Sequence, residues 1–284
     1  MAEPEISVIV PVRDGAGSLG ALLDGLAVQT YDRERFEVVV VDNGSRDGSG
    51  RVAQAHGARV EHEPVPGRAR ARNRGAALAR APAFAFIDAD CVPEPGWLQA
   101  LAGCLVAAPL VAGPVELVTA ESPNRWERLE RLWRFDQQRD VASGWAASAN
   151  LGVTRSAFAA AGGFDPTYRH IGEDVDFCLR AREAGQPLSF CPGAVVRHGA
   201  ESRASSILRR AVIHGFSSNQ HAYRWPGIVG WRHWRHPRPA LAGDWALRRF
   251  GPAAVNERDL IWPARAEYAA RVLGSVWAEL RRAR

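Results

Sequence analysis

The sequence predicts an α/β fold: a mostly parallel central sheet flanked by helices, followed by a helical, basic C-terminal extension. Three observations carry this. Short apolar runs recur over the first 90 residues, each followed by a helical pattern. Those runs are apolar at successive positions, hence on both faces, as in strands covered by helices on both sides and joined by right-handed crossovers. The chain, with 284 residues of which 46% are hydrophobic, is large enough for one sizeable core.

The elements follow in order. Ile6 to Val12 is a near-continuous apolar strand, and Leu19, Leu22, Leu23 and Leu26 fall on one face of a helix ending near Gln29. Phe36 to Val41 is a β-branched strand that stops at Asp42-Asn43-Gly44-Ser45, with a helix after it. Ala58 to Glu61 is short and extended, Arg68 to Arg80 is helical, and Ala83 to Ile87 is a fourth strand. In open parallel sheets ligands bind beyond the carboxyl ends of the strands. Those ends carry Arg13, Asp42 and the pair Asp88 and Asp90.

Asp88 and Asp90 follow an apolar run directly. If the strand continues through them, residues i and i+2 share a side, so both carboxylates converge on one cation and Cys91-Val92-Pro93 ends the strand. Oxygen ligands favour Mg²⁺ or Mn²⁺ over zinc. Arg68, Arg70, Arg72 and Arg74 oppose the dipole in the first two turns of their helix, and an anion such as a diphosphate would offset that cost. Glu173, Asp174 and Asp176 open another helix, where the dipole stabilises acids; crowding can raise the pKa of one of them.

In this order and spacing, Pro11-Val12-Arg13, Val41-Asp42-Asn43-Gly44-Ser45, Ala71-Arg72-Asn73-Arg74-Gly75 and Ile87-Asp88-Ala89-Asp90 resemble the nucleotide-sugar half of family-2 glycosyltransferases. Gly162-Gly163-Phe164-Asp165 and Gly172-Glu173-Asp174-Val175-Asp176 resemble the acceptor half. The resemblance covers about residues 5 to 200 and implies a single Rossmann-like GT-A domain. By its pattern residues 1–115 bind the nucleotide sugar, 116–200 bind the acceptor, and 201–284 form the extension. It implies an inverting transfer, by metal-assisted single displacement, from a nucleotide-diphosphate sugar, usually UDP-linked, to a glycan, lipid-linked or small-molecule acceptor hydroxyl. Asp42 would hydrogen-bond the base, the backbone of Pro11 and Val12 would line the nucleotide pocket, and Arg72 would touch the diphosphate. Arg13, Arg68, Asn73, Asp88 and Ala89 complete the expected donor contacts. Asp90, with Asp88 and His198, would hold Mn²⁺ or Mg²⁺. Asp174 would be the base, with Trp145, Asn150 and Glu173 near donor sugar or acceptor.

Two rivals share some of these features. A sugar-1-phosphate nucleotidyltransferase would show a Gly-rich phosphate loop and a phosphate-binding lysine; Arg13-Asp14-Gly15-Ala16-Gly17 is a poor version of the loop, and the chain has no lysine. A non-catalytic membrane- or nucleic-acid-binding module would use the extension, where 15 arginines face 6 acidic residues, against 21 and 25 in residues 1–200. The all-arginine basic set, with abundant Ala and Gly, reads as coding bias, so nucleic acid is not an expected partner. The extension also holds Trp225, Trp231, Trp234, Trp245, Trp262 and Trp277, which suits either a peripheral membrane contact or a helix over Ser202 to Tyr223 packed on the acceptor site, with the tail along the back of the domain and its Trp residues in the core. Cys91, Cys104, Cys178 and Cys191 lack metal-ligand spacing and read as reduced thiols. With a start at Met1-Ala2-Glu3-Pro4-Glu5 that has no signal-peptide pattern, this places the expected location in the cytoplasm, or at the inner face of the cell membrane.

Overall fold

The computed structural model describes residues 3–133, 135–168, 171–225 and 261–282. Trp231, Trp234 and Trp245 lie outside the described residues. The chain forms two compact units, one of Met1–Glu116, Phe135–Arg169 and Glu173–Gly199, the other of Leu117–Arg134, His170–Gly172 and Ala200–Arg284.

The first unit begins as expected. β1 (Ile6–Val12), α1 (Ala16–Ala27), β2 (Phe36–Asp42), α2 (Ser49–Ala55), β3 (Arg59–His62), α3 (Arg68–Leu78) and β4 (Ala83–Ile87) alternate strand and helix. Next come β5 (Cys91–Pro93), α4 (Trp97–Ala107), β6 (Leu110–Ala112) and β7 (Val115–Val118), whose last two residues pass into the second unit. After α5 (Arg125–Trp133) in that second unit, the chain returns with α6 (Gln137–Ala142), β8 (Asn150–Thr154), α7 (Arg155–Ala160), α8 (Glu173–Glu183), β9 (Leu188–Phe190) and β10 (Val196–Gly199).

Seven strands make the central sheet in the order β3-β2-β1-β4-β8-β6-β9, and three make a small sheet in the order β5-β10-β7. In the large sheet β1 is parallel to β2 and β4, β2 to β3, and β6 to β9; β8 alone runs against its neighbours. The period of two along β1 sends Ile6, Val8, Val10 and Val12 into one apolar core and Ile9 into another on the opposite face. Each fully buried aliphatic side chain contributes about 1.5 to 3 kcal/mol. Helix α3 approaches the sheet through Gly75, where a Cβ would stand 2.5 Å from Cγ2 of Ile9 and 3.2 Å from Cγ2 of Val41.

Two expectations are corrected. The strand does not continue through Asp88 and Asp90: β4 ends at Ile87, the chain turns with the N–H of Cys91 donating to the carbonyl of Asp88 at 3.0 Å, and β5 starts afresh at Cys91. Argument from a two-residue period therefore does not apply to the acidic pair. Nor are all four cysteines reduced. Cys104 on α4 and Cys191 after β9 form a disulfide with Cα atoms 6.2 Å apart, while Cys91 and Cys178 are buried thiols.

In the second unit, α9 (Ala204–Arg224) and the last helix, α10 (Ile261–Arg282), pack backbone to backbone. Gly215 lies against the carbonyl of Arg271, and Gly274 against that of Val212. Trp126, Leu129 and Ile207 form a small core with Ala266 against it. Glu130, next to Leu129 in sequence, pairs with Arg210 and accepts from the N–H of Glu201.

Candidate active site at the carboxyl edge of the sheet

The order β3-β2-β1-β4 reverses direction beside β1, the place where such sheets leave a crevice at their carboxyl edge. The register pairs Val12 with Asp42, so the ends of β1 and β2 lie side by side. Side chains knit the loops leaving them. Asp42 accepts from the N–H of Ser45 at 2.8 Å, Asp47 from that of Ala16 at 2.8 Å, and Asp14 from that of Arg46 at 2.7 Å. The Asn43 amide donates to the carbonyls of Glu63 and Val65 and accepts from the N–H of Gly67, fixing the turn into α3. Asp42 also lines a cavity of about 410 Å³ with Gly48, Gly50, Arg51, Gln54, Val60, Glu61 and His62.

Arg72 is the hub of the site. Unlike the exposed Arg68, Arg70 and Arg74, it is 1% exposed. One terminal nitrogen donates to Asp88 at 2.6 Å and the other to Glu173 at 2.6 Å, and its guanidinium stands 5.6 Å from the Phe164 ring centre. Burial disfavours its charge, but the carboxylates of Asp88, Glu173 and Asp174 outweigh that and hold it protonated. Sequence shows a signal for this burial: Arg72 shares a helix face with Ala69, Gly75 and Ala76, the small residues that let α3 close on the sheet. Asn73 beside it clamps Phe164, donating to its carbonyl at 2.7 Å and accepting from its N–H at 2.9 Å.

Glu173 and Asp174 open α8. Burial raises the Glu173 carboxyl against the pull of Arg72. Asp174 is half-buried, accepting from the N–H of Val175 at 2.9 Å and of Ser148 at 3.4 Å; desolvation raises its pKa despite Arg72 nearby. A base needs such a shift, since it must be ionised yet able to take a proton near neutral pH. Ser148 contributes through its backbone, which no sequence motif marks. Nε of Arg72 and Oε2 of Glu173 are buried with no hydrogen-bond partner, so the opposite charges of this cluster offset an incomplete set of hydrogen bonds.

The second acidic centre is Asp90. Its Oδ2 lies 3.2 Å from Nε2 of His198, because β10 pairs antiparallel with β5 and sets His198 opposite Cys91. Nδ1 of His198 is 2.6 Å from the carbonyl of Gly199 and must donate to it. That leaves Nε2 as the ring nitrogen that faces Asp90. Asp90, Cys91 and His198 offer ligand atoms within 4.8 Å of one another. Asp90 is exposed, so a cation held by its oxygen and the imidazole keeps positions open for further oxygens. Asp90 and His198 together offer an oxygen and an imidazole nitrogen to a divalent cation, as Mn²⁺ or Mg²⁺ accepts when further oxygens complete the shell; Asp88 is directed to Arg72 instead, and the Cys91 thiol beside Asp90 is too soft a donor to favour either ion.

The remaining expected residues are distributed as follows. Val12 is buried, Pro11 and Ala89 are half-buried, and Arg13 and Arg68 are exposed. Asn150 is fully buried; both its amide protons go to the carbonyls of Pro114 and Ala194, and its oxygen accepts from the Trp97 indole. Trp145 packs on the core beside α8.

Fold and site define an α/β protein that gathers carboxylates, a buried arginine and a histidine at the switch point of a doubly wound sheet. The model of glycosyl transferase family 2 matches residues 7–155, and that of glycosyl transferase family group 2 matches residues 83–262. The chain belongs to glycosyl transferase family 2. It is 34% identical over 235 residues to the pre-mycofactocin glycosyltransferase of Mycobacterium tuberculosis, 78% of this chain and 48% of that one. It is 29% identical over 206 residues to glycosyltransferase AglE of Haloferax volcanii, 69% of this chain and 67% of that one. The chain thus spans about half the length of the mycobacterial relative. Among solved structures, the mannosyltransferase PcManGT of Pyrobaculum calidifontis, in complex with GDP-Man and Mn²⁺, superposes with a TM-score of 0.67 at 18% identity, covering 98% of this chain and 88% of that one. S. aureus TarS 1-349 with UDP-GlcNAc superposes with a TM-score of 0.58 at 16% identity, covering 98% and 92%. These two share the GT-A fold with this chain.

Proposed function

We propose that the protein is an inverting glycosyltransferase that moves a sugar from a nucleotide-diphosphate donor, UDP-linked as is usual in the family it belongs to, to an acceptor hydroxyl. The observation that carries this is Arg72, which joins the strand end bearing Asp88 to the helix bearing Asp174 through two 2.6 Å ion pairs. Donor and acceptor chemistry are thereby held on one rigid frame, as a single displacement requires.

Asp174 takes the proton of the acceptor hydroxyl as its oxygen attacks the anomeric carbon from the face opposite the diphosphate. Ser148 and Val175 aim the carboxylate with their N–H groups. Asp42 accepts a hydrogen bond from the base, and the loops knitted to it fix the nucleoside. Asp90 and His198 would hold Mn²⁺ or Mg²⁺, which, when bound, stabilises the negative charge developing on the leaving diphosphate. A metal is well suited here because the acidic groups outnumber the one buried arginine, and a diphosphate would otherwise meet net negative charge. GDP-Man and Mn²⁺ in PcManGT, and UDP-GlcNAc in TarS, support this donor class.

Titration calorimetry of UDP, GDP and dTDP with and without Mn²⁺, on wild type and Asp90→Ala, tests the reading. Metal-dependent binding of one nucleotide, lost in the variant, is expected. No binding of any of the three would sink the donor-site assignment.

A further inference from the structure

We infer that the outer face of α10 is a docking surface for an anionic lipid bilayer. α10 has 22 residues, a length of about 33 Å. Glu267, Ala270, Gly274 and Ala278 form its buried side, with Gly274 set against the backbone of α9. On the side turned outward, at helical spacing, stand Trp262, Leu273, Val276, Trp277 and Leu280, exposed by 62%, 65%, 47%, 41% and 62%. Trp262 leans on Trp126 and Trp277 on Phe216, with ring centres 5.9 and 5.1 Å apart, yet both remain largely exposed. Five large apolar side chains on one stripe are more than scattered surface residues, and a bilayer interface buries the area they leave exposed.

Charge selects the occupant. Among the described side chains of α10, the exposed charged ones are Arg265 and Arg281, which flank the stripe. Its described acid, Glu267, is buried and paired with Arg271 at 2.6 Å. Arg281 lies over the Trp277 ring, 4.7 Å from its centre, placing a cation at the apolar boundary, where a phosphate headgroup would meet it. A second copy suits the face less well, since a two-fold contact along the stripe would bring the flanking arginines toward one another. Lying on the membrane also agrees with the absence, among the described residues, of a helix long and apolar enough to cross one. Docking by this face does not require glycosyl transfer, and its test uses no nucleotide.

The whole chain is incubated with vesicles of phosphatidylcholine alone or with phosphatidylglycerol and sedimented. Wild type is expected to bind the anionic vesicles and to be released by salt. Arg265→Gln and Arg281→Gln should each weaken partitioning by about fivefold. Leu273→Glu with Leu280→Glu should weaken it more than about tenfold, with an unchanged circular dichroism spectrum because both positions face outward. The inference is overturned if anionic vesicles bind no protein at low salt, or if the double leucine variant binds them as wild type does. A dimer in sedimentation velocity that this variant abolishes, without vesicle binding in wild type, would assign the face to self-association instead.

Discussion

Arg72 and Glu173, 101 residues apart in sequence, meet at 2.6 Å with both side chains buried. Removing one partner of a buried pair leaves the other charge uncompensated, at a cost of about 3 to 5 kcal/mol. Arg72→Ala is therefore expected to lower stability by this order in chemical denaturation, and Glu173→Gln by less, since Asp88 remains to pair with Arg72. Equal stability of Arg72→Ala and wild type would refute the pairing.

Asp174→Asn is expected to lower kcat by about 10²- to 10⁴-fold while nucleotide binding, read by calorimetry, stays within twofold or so of wild type. In wild type the acidic limb of the rate profile should lie above the ordinary carboxylate range, because burial raises this pKa. A limb at the value of an exposed aspartate would remove Asp174 from the role of base.

The same shift has a consequence for stability. The folded state holds the proton of Asp174 to higher pH than the unfolded chain does, so ionisation opposes folding. This destabilisation is absent below the unfolded pKa, grows as pH rises, and is complete above the raised folded value. Asp174→Asn should therefore melt higher than wild type near neutral pH, with the gap closing toward about pH 4. A gap that widens on acidification would show the opposite shift.

His198→Ala should abolish Mn²⁺-dependent nucleotide binding as Asp90→Ala does, while the disulfide and the central sheet remain. Retention of metal-dependent binding by His198→Ala with loss in Asp90→Ala would leave the carboxylate as the ligand and the imidazole as its support.

The bond between Cys104 and Cys191 closes a sequence separation of 87 residues. Cys104→Ser with Cys191→Ser is expected to lower stability by about 2 to 4 kcal/mol under non-reducing conditions. Thiol titration of the denatured, unreduced wild type should count two thiols, Cys91 and Cys178, and four would refute the bond.

Gly75→Ala tests the packing of α3. The added methyl meets Ile9 and Val41, so α3 must move off the sheet, at a cost of about 1 to 3 kcal/mol and with weakened donor binding through Arg72. Unchanged stability would place α3 farther from β1.

The alternating strands and helices of the first unit were legible because their apolar periods are long and unbroken, and the helical start at Glu173 because acids cluster there. The turn after Ile87 was hidden, since Asp88-Ala89-Asp90 extends an apolar run without Gly or Pro to announce a break. The disulfide was hidden because its two cysteines sit on elements brought together only by the parallel pairing of β6 with β9 and the return through β8. Arg72 looked like its three arginine neighbours until the small residues of α3 showed which face closes on the sheet. Nothing in the sequence indicated that Asn150 is a core residue.

The antiparallel register that sets His198 opposite Cys91 also fixes when the site can exist during synthesis. The N-terminal strands can emerge from the ribosome and pair early, carrying Asp42, Arg72, Asp88 and Asp90 with them. Asp90 gains its imidazole only after β10 has been made and has threaded back beside β5. For the proposed cation site this makes capture a late event, with cation affinity a readout of completed folding in this unit: a nascent chain halted before residue 196 would carry the acidic turn but not the residues proposed to complete the site.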